Sequence, residues 1–254
     1  MISDAPLPGA LNMARDHALA MTIVPGVGAL RIYRWARPTV SFGRNEPGLG
    51  LYDQERAAER GIAFVRRPTG GRAVFHDREL TYAVAVPLRW LGGVRETHRA
   101  VARGLVSALR GVGVPAELAV GAPQGGRSPH PGAGPCFASP VDGEIVVAGR
   151  KLVGSAQARL GGALLQHGSL LLGRGQELLD ELGGGDSVGA TSIALEEILE
   201  ELPAWEDLTC AVAKGLAAEL GGCWRLAGNA GPRVQELERS LLPRYASREW
   251  TWRR

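Results

Sequence analysis

The 254-residue sequence predicts an α+β domain, strands first and a helical part from about residue 191. Three observations carry that expectation. Apolar runs of strand length recur between Ala29 and Leu172, separated by Gly and Pro turn signals. Beyond them, Trp205, Leu208, Val212, Leu216 and Leu220 form a stripe at helical spacing. No internal repeat or low-complexity tail interrupts the chain, and its length suits one large domain spanning residues 1–254.

Taken in order, residues 10–21 read as a helix, with Leu11, Ala14, Ala18 and Met21 near one face. Ala29 to Trp35 and Thr39 to Phe42 read as strands divided at Arg37-Pro38. Asp53 to Arg60 reads as a short helix ended by a left-handed cap at Gly61. Ile62 to Arg66 is a strand that runs into the turn Pro68-Thr69-Gly70-Gly71, and Leu80 to Val86 resumes the strand pattern. Val101, Leu105 and Leu109 mark a helix over 95–110. Nine of the fifteen residues in 121–135 are Gly or Pro, which predicts a mobile loop rather than a linker, since strands continue after it. Glu144 to Val153 reads as a hairpin turned near Ala148-Gly149, and Ala163 to Leu172 as a further strand.

Composition narrows the function classes. The net charge of +3 is mildly basic and, with no Lys/Arg run interleaved with aromatics, argues against nucleic acid as a partner. No apolar stretch reaches ~18 residues, so no membrane span is expected. Asp4, Arg15 and Asp16 interrupt the place of a signal peptide. Cys136, Cys210 and Cys223 form neither a disulfide framework nor a CxxC metal site, so no metal is expected and the cytoplasm is the default location.

Four constellations offer chemistry. Residues 66–77, RRPTGGRAVFHD, place Gly70 and Gly71 where a backbone can approach a ligand and present N–H groups to a carbonyl oxygen or oxyanion. Arg66, Arg67 and Arg72 flank them as donors for a phosphate; the competing reading is a plain Gly-Gly hairpin with solvated arginines. Cys136 closes the Gly/Pro-rich loop, and Lys151 is a candidate to favour its thiolate, against the commoner role of cysteine as a small core residue. In residues 149–157, GRKLVGSAQ, Lys151 stands among the small residues Gly154, Ser155 and Ala156, which leave room for a ligand; a solvated turn lysine is the alternative. Gln166-His167-Gly168-Ser169 puts a histidine inside an apolar strand, where a satisfied structural residue is the ordinary reading.

The order and intervals of RRPTGGRAVFHD, GRKLVGSAQ and QHGSLLL resemble the lipoate and biotin protein ligase superfamily. The resemblance runs from Asn12-Met13-Ala14 to Arg244–Trp250, nearly the whole chain. Glu79-Leu80-Thr81-Tyr82 and Cys136-Phe137 look like its cysteine-dependent octanoyltransferase branch. It implies a mixed β-sheet with flanking helices, akin to class II aminoacyl-tRNA synthetases. It implies an acyl tunnel lined by Arg67, Thr69, Gly70, Gly71, Arg72 and His76 on one side. Lys151, Gly154, Ser155, Ala156 and His167 line the other, Lys151 matches the family's active-site lysine, and Cys136 matches the nucleophile.

The activity so implied is transfer of octanoyl from acyl carrier protein, through a Cys136 thioester, to a lysine of a lipoyl domain of a 2-oxoacid dehydrogenase or of the glycine cleavage H protein. No ATP or metal is then required. Alternatives are an ATP- and Mg²⁺-dependent lipoate–protein ligase, an amidotransferase moving octanoyl from H protein to lipoyl domains, and a non-catalytic acyl-binding relative. Arg72 stands where ATP-dependent ligases usually carry a third glycine, which weighs against the ligase.

Overall fold

The structure, a computed structural model, describes residues 1–119, 143–183 and 191–253. Cys136 and the Gly/Pro-rich segment lie outside the described residues.

The described residues form two sheets and the helices around them. In chain order the first elements are β1 (Ile2–Ser3), α1 (Gly9–Thr22), β2 (Ala29–Tyr33), β3 (Thr39–Phe42), α2 (Gln54–Glu59), β4 (Ala63–Arg66), β5 (Val74–His76) and β6 (Glu79–Pro87). Then come α3 (Val94–Gly111), β7 (Glu117–Leu118), β8 (Ile145–Val147), β9 (Arg150–Leu160), β10 (Ala163–Leu171) and α4 (Leu178–Glu181). The last are α5 (Trp205–Leu220), α6 (Pro232–Ala246) and α7 (Arg248–Thr251).

The larger sheet has the order β1-β2-β6-β10-β9-β8-β7 and is antiparallel except where β1 joins β2 in parallel. The smaller one has the order β4-β3-β5, with β3 parallel to β4 and antiparallel to β5. Both are mixed, as the family resemblance implied.

Its central strands, β6 and β10, are buried almost end to end because helices cover both faces. Alternation divides their side chains. Leu80, Tyr82, Val84, Leu164 and Leu170 join Val101, Leu105 and Leu109 of α3 and Val212 and Leu216 of α5 in one core. Ala83, Ala85, Ala163 and Leu165 join Met13, Ala18 and Leu19 of α1, and Tyr245 of α6, in the other. The predicted stripes on α3 and α5 therefore face the same sheet.

The contact between α3 and α5 depends on two glycines. A Cβ on Gly215 would stand 2.2 Å from the Gly104 carbonyl oxygen, and one on Gly104 would stand 2.6 Å from that of Gly215. Neither backbone can yield without moving a helix. Gly215→Val is expected to cost about 3 kcal/mol or more, at the upper end of overpacking penalties. A denaturant midpoint equal to wild type would show that the helices do not pack this closely.

Local signals held where the physics is local. Asp53 caps α2 through the Arg56 N–H, and Gly61 takes φ +69° just beyond it. Ala148 (φ 48°) and Gly149 (φ 74°) make the two-residue turn between β8 and β9.

Candidate functional site

A narrow cleft, with about 30 Å³ of water-accessible space, lies where α1, the small sheet and strands β6, β9 and β10 meet. Of the predicted site residues, Arg67, His76, Gly154, Ser155, Ala156 and His167 line it. Thr69 joins through a hydrogen bond between its hydroxyl and His167 Nε2, at 2.6 Å. Gly71 faces the opposite wall, since a Cβ there would sit 3.9 Å from the Ala156 methyl.

The Gly-Gly loop is held from behind. A Cβ on Gly43 would stand 1.8 Å from the Gly71 carbonyl oxygen, and Arg44 N–H donates to the Thr69 carbonyl at 2.7 Å. The arginines expected to offer donors outward turn them inward. Arg66 is fully buried and donates to the carbonyls of Gly43 and Glu46, each at 2.6 Å. Arg67, 4% exposed, donates to the carbonyls of Ser41, Gly70 and Arg72. A solvated hairpin is therefore excluded for both. Gly70 and Arg72, predicted to line the site, are not among the lining residues; their carbonyls accept from Arg67, which is one of them. Arginine suits the role because its planar fork satisfies several oxygens at once.

His167 is buried between two partners. Its Nδ1 meets the Asp16 carboxylate at 3.0 Å. An ionised carboxylate only accepts, so Nδ1 carries the proton and Nε2 accepts from the Thr69 hydroxyl. Burial pushes His167 below its ordinary pKa, outweighing the Asp16 hydrogen bond, so the ring is neutral at pH 7. Burial raises the Asp16 carboxyl, but the Arg31 charge and the His167 hydrogen bond bring it below the usual carboxylate range.

His76 is fixed similarly. Its Nδ1 meets Glu79 at 2.8 Å, its Nε2 meets the Ser41 hydroxyl at 2.7 Å, and its ring stacks on Trp35 at 3.9 Å between centroids. Glu79, 1% exposed, also accepts from Trp35 Nε1 at 3.0 Å and from the Ser169 hydroxyl at 2.8 Å.

Lys151 lies at the start of β9, three residues before the cleft-lining Gly154, and is not among the lining residues. It is 1% exposed and donates to Glu144, so the solvated-turn alternative fails. Sequence reasoning missed Asp16, Trp35 and Ser41, and gave Glu79 only as part of the Glu79-Leu80-Thr81-Tyr82 resemblance, with no role in the site. Only the strand order brings them together. Gly168 was quoted only as a neighbour of His167, yet a Cβ there would press on the Gly154 carbonyl at 2.5 Å and on the Tyr82 ring at 2.7 Å.

The solved structure of lipoate-protein ligase A bound with ATP superposes with a TM-score of 0.80, covering 99% of each chain at 22% identity. A T. acidophilum protein solved with bound lipoic acid gives 0.81, covering 100% of this chain and 97% of its own, also at 22%. At that identity the likeness is one of fold. Closer in sequence is octanoyltransferase LipM of Kyrpidia tusciae, 38% identical over 96% of this chain and 95% of its own length. LipM of Symbiobacterium thermophilum is 37% identical over 97% and 95%. The model of the lipoyl protein ligase A/B catalytic domain matches residues 8–217, which include both walls of the cleft and Lys151. The chain belongs to the lipoyl protein ligase A/B catalytic-domain family.

Proposed function

We propose that the chain is a cytoplasmic octanoyltransferase of protein lipoylation. It takes an octanoyl group from acyl carrier protein onto Cys136 and passes it to a lysine of a lipoyl domain or of the glycine cleavage H protein. The observation that carries this reading is the near full-length similarity to octanoyltransferases at 37–38% identity. A narrow cleft between the Gly-Gly loop and β9 supports it.

The chemistry needs no activating nucleotide. In the first half, the Cys136 sulfur attacks the donor thioester carbon, the carrier thiolate leaves, and one thioester replaces another. In the second, a lysine amine attacks the enzyme thioester, forming a C–N bond and breaking a C–S bond. Amide formation from a thioester runs downhill.

With donor but no acceptor, the intact protein is expected to gain one octanoyl mass, removable by neutral hydroxylamine and absent from Cys136→Ala. Turnover is expected from octanoyl-acyl carrier protein without ATP or Mg²⁺. Cys136→Ser is expected to lose it, since a serine hydroxyl needs a base to become a nucleophile, while Cys210→Ser and Cys223→Ser retain it. Modification of an apo lipoyl domain only from free octanoate or lipoate with ATP would replace this reading with the ligase. Transfer only from octanoyl-H protein would replace it with the amidotransferase.

A further inference from the structure

The segment Arg244–Trp250, with which the family resemblance ends, lines neither wall of the cleft. It is tied to the cleft from behind. Trp250 Nε1 donates to the Arg66 carbonyl at 2.8 Å, and Arg66 Nε donates to the carbonyls of Trp250 and Thr251 at 3.1 Å and 3.0 Å. These bonds fasten α7 to the end of β4, from which the chain enters the Gly-Gly loop.

What the segment presents outward is charge. The guanidinium carbons of Arg244 and Arg253 each lie 4.1 Å from the centre of the Trp250 ring, which holds two cations on one aromatic side chain. Arg253 also donates to the Arg44 carbonyl. Arg44, Arg244 and Arg253 are all exposed. Burial, and after it the charges of Arg244 and Arg44, lower His17 of α1 to about 4, so both side chains stand close to that helix. Among the described residues neither Arg44 nor Arg244 is ion-paired, whereas Arg60 pairs with Glu181 and Arg103 with Glu219. Like charges gathered without a carboxylate repel one another, and an anion arriving from outside relieves that repulsion. The patch adjoins the cleft at two points. Arg44 N–H donates to the carbonyl of Thr69, whose hydroxyl meets His167, and His17 follows Asp16, which meets the other nitrogen of His167.

We infer that the patch of Arg44, Arg244 and Arg253 is the surface on which the anionic acyl donor, a carrier protein, docks, an inference that rests on the transferase reading above. The chemistry of the two substrates decides between them. The donor bears its thioester on an arm joined to the carrier through a phosphodiester, so an anion always accompanies the acyl group. The acceptor offers a lysine, which travels as an ammonium ion and is repelled by a cationic rim. Arginine suits the donor, because its planar fork gives paired hydrogen bonds to phosphate and carboxylate oxygens alike. Charge at such a rim acts on the encounter of the two proteins, and so on the rate of association, rather than on the reacting bonds.

The test compares a donor that can use the patch with one that cannot. The full-length protein is loaded from octanoyl-acyl carrier protein or from the octanoyl thioester of N-acetylcysteamine, which is neutral and carries no phosphate. The readout is the second-order rate constant of loading from each. Arg244→Glu is expected to lower the constant for the carrier about tenfold, the low end for electrostatically steered association. The fall of that constant with added salt should flatten in the variant, since there is less attraction left to screen. Loading from the small thioester should match wild type. Arg44→Glu, which keeps its backbone bond to Thr69, is expected to behave in the same way, and Arg244→Lys to retain most of the rate. Each variant, once loaded from the small thioester, should pass octanoyl to an apo lipoyl domain at the wild-type rate. A carrier constant equal to wild type in both charge reversals, equal losses with both donors, or a loss confined to the lipoyl-domain step overturns the inference. Failure of the wild-type protein to load octanoyl from either donor overturns the transferase reading, and this inference with it.

Discussion

On the role that the family resemblance gives it, Lys151→Ala is expected to lower octanoyl transfer by about 10²–10³-fold or more, the scale for losing one preorganised electrostatic contact in the transition state. Its placement makes the effect sharp. Lys151 is 1% exposed, paired with Glu144, and held by backbone bonds on both sides: its N–H donates to the Thr191 carbonyl at 2.8 Å and its carbonyl accepts from Ile193 N–H at 3.0 Å. A cation in this setting acts at a high effective field because little water screens it. Lys151→Met keeps the stem and removes only the charge, so it isolates the electrostatic part. Lys151→Arg is expected to rescue poorly, because a planar fork does not fit a site built around a compact ammonium. Single-turnover acylation and thermal melting of each variant together separate catalysis from stability. If Lys151→Met transfers octanoyl near the wild-type rate while its melting temperature falls, the lysine serves only to hold β9 in place.

How much of this was legible in the sequence depended on the range of the forces involved. The α2 helix could be read from Asp53 and Gly61, and the β8–β9 turn from Ala148-Gly149, because each rests on a few consecutive residues. β3 was read at its exact limits, since Thr39–Phe42 is apolar, β-branched or aromatic in three of four positions and follows a proline. β9 was read short. Gly154, Ser155, Ala156 and Ala158 have little strand propensity, and the strand continues to Leu160 because β10 pairs with it from Val153 to Leu160. β1 has only two residues and was not read; it exists because Ile2 and Ser3 pair with Arg31 and Ile32. Nor did any pattern announce that β3, β4 and β5 would leave the main sheet and form their own.

The site divides along the same line. The Gly-Gly loop, Lys151 and His167 stand in recognisable motifs. Their partners do not. Asp16 shares the buried face of α1 with Asn12 among small and apolar residues, Trp35 lies just beyond β2, and Glu79 opens β6. The buried arginines show the limit most plainly. Arg66 and Arg67 in sequence look like surface donors, and only the close crossing of Gly43 over Gly71 reveals the carbonyls they were needed to satisfy.

Asp16→Ala is expected to destabilise the protein by about 3–5 kcal/mol, the cost of leaving a buried charge without its partner. The Asp16 carboxylate, fully buried, accepts from Arg31 Nη1 at 2.7 Å, from the Tyr33 hydroxyl at 2.8 Å and from His167 at 3.0 Å. Arg31 is itself fully buried, and would keep only Asp4 at 2.6 Å and the Asn12 oxygens. Function should suffer as well, since His167 would lose the partner that fixes its tautomer and, through it, the Thr69 hydroxyl on the Gly-Gly loop. The pH dependence gives an independent check. His167 is held below its ordinary value, so as pH drops under about 6.5 the unfolded chain binds a proton that the folded one does not, and stability begins to fall. Asp16 is also held below its ordinary value; its contribution is complete above about pH 4 and is lost as pH falls through its lowered native value. The wild-type protein should therefore lose stability in two stages on acidification. Asp16→Asn, which keeps the shape and removes the charge, should abolish the lower stage and retain the upper one. Chemical denaturation of both proteins between pH 7 and pH 3 measures this directly. Equal midpoints at pH 7 and parallel acid limbs would mean that Arg31 and His167 are satisfied without Asp16, and that the carboxylate does not organise the cleft.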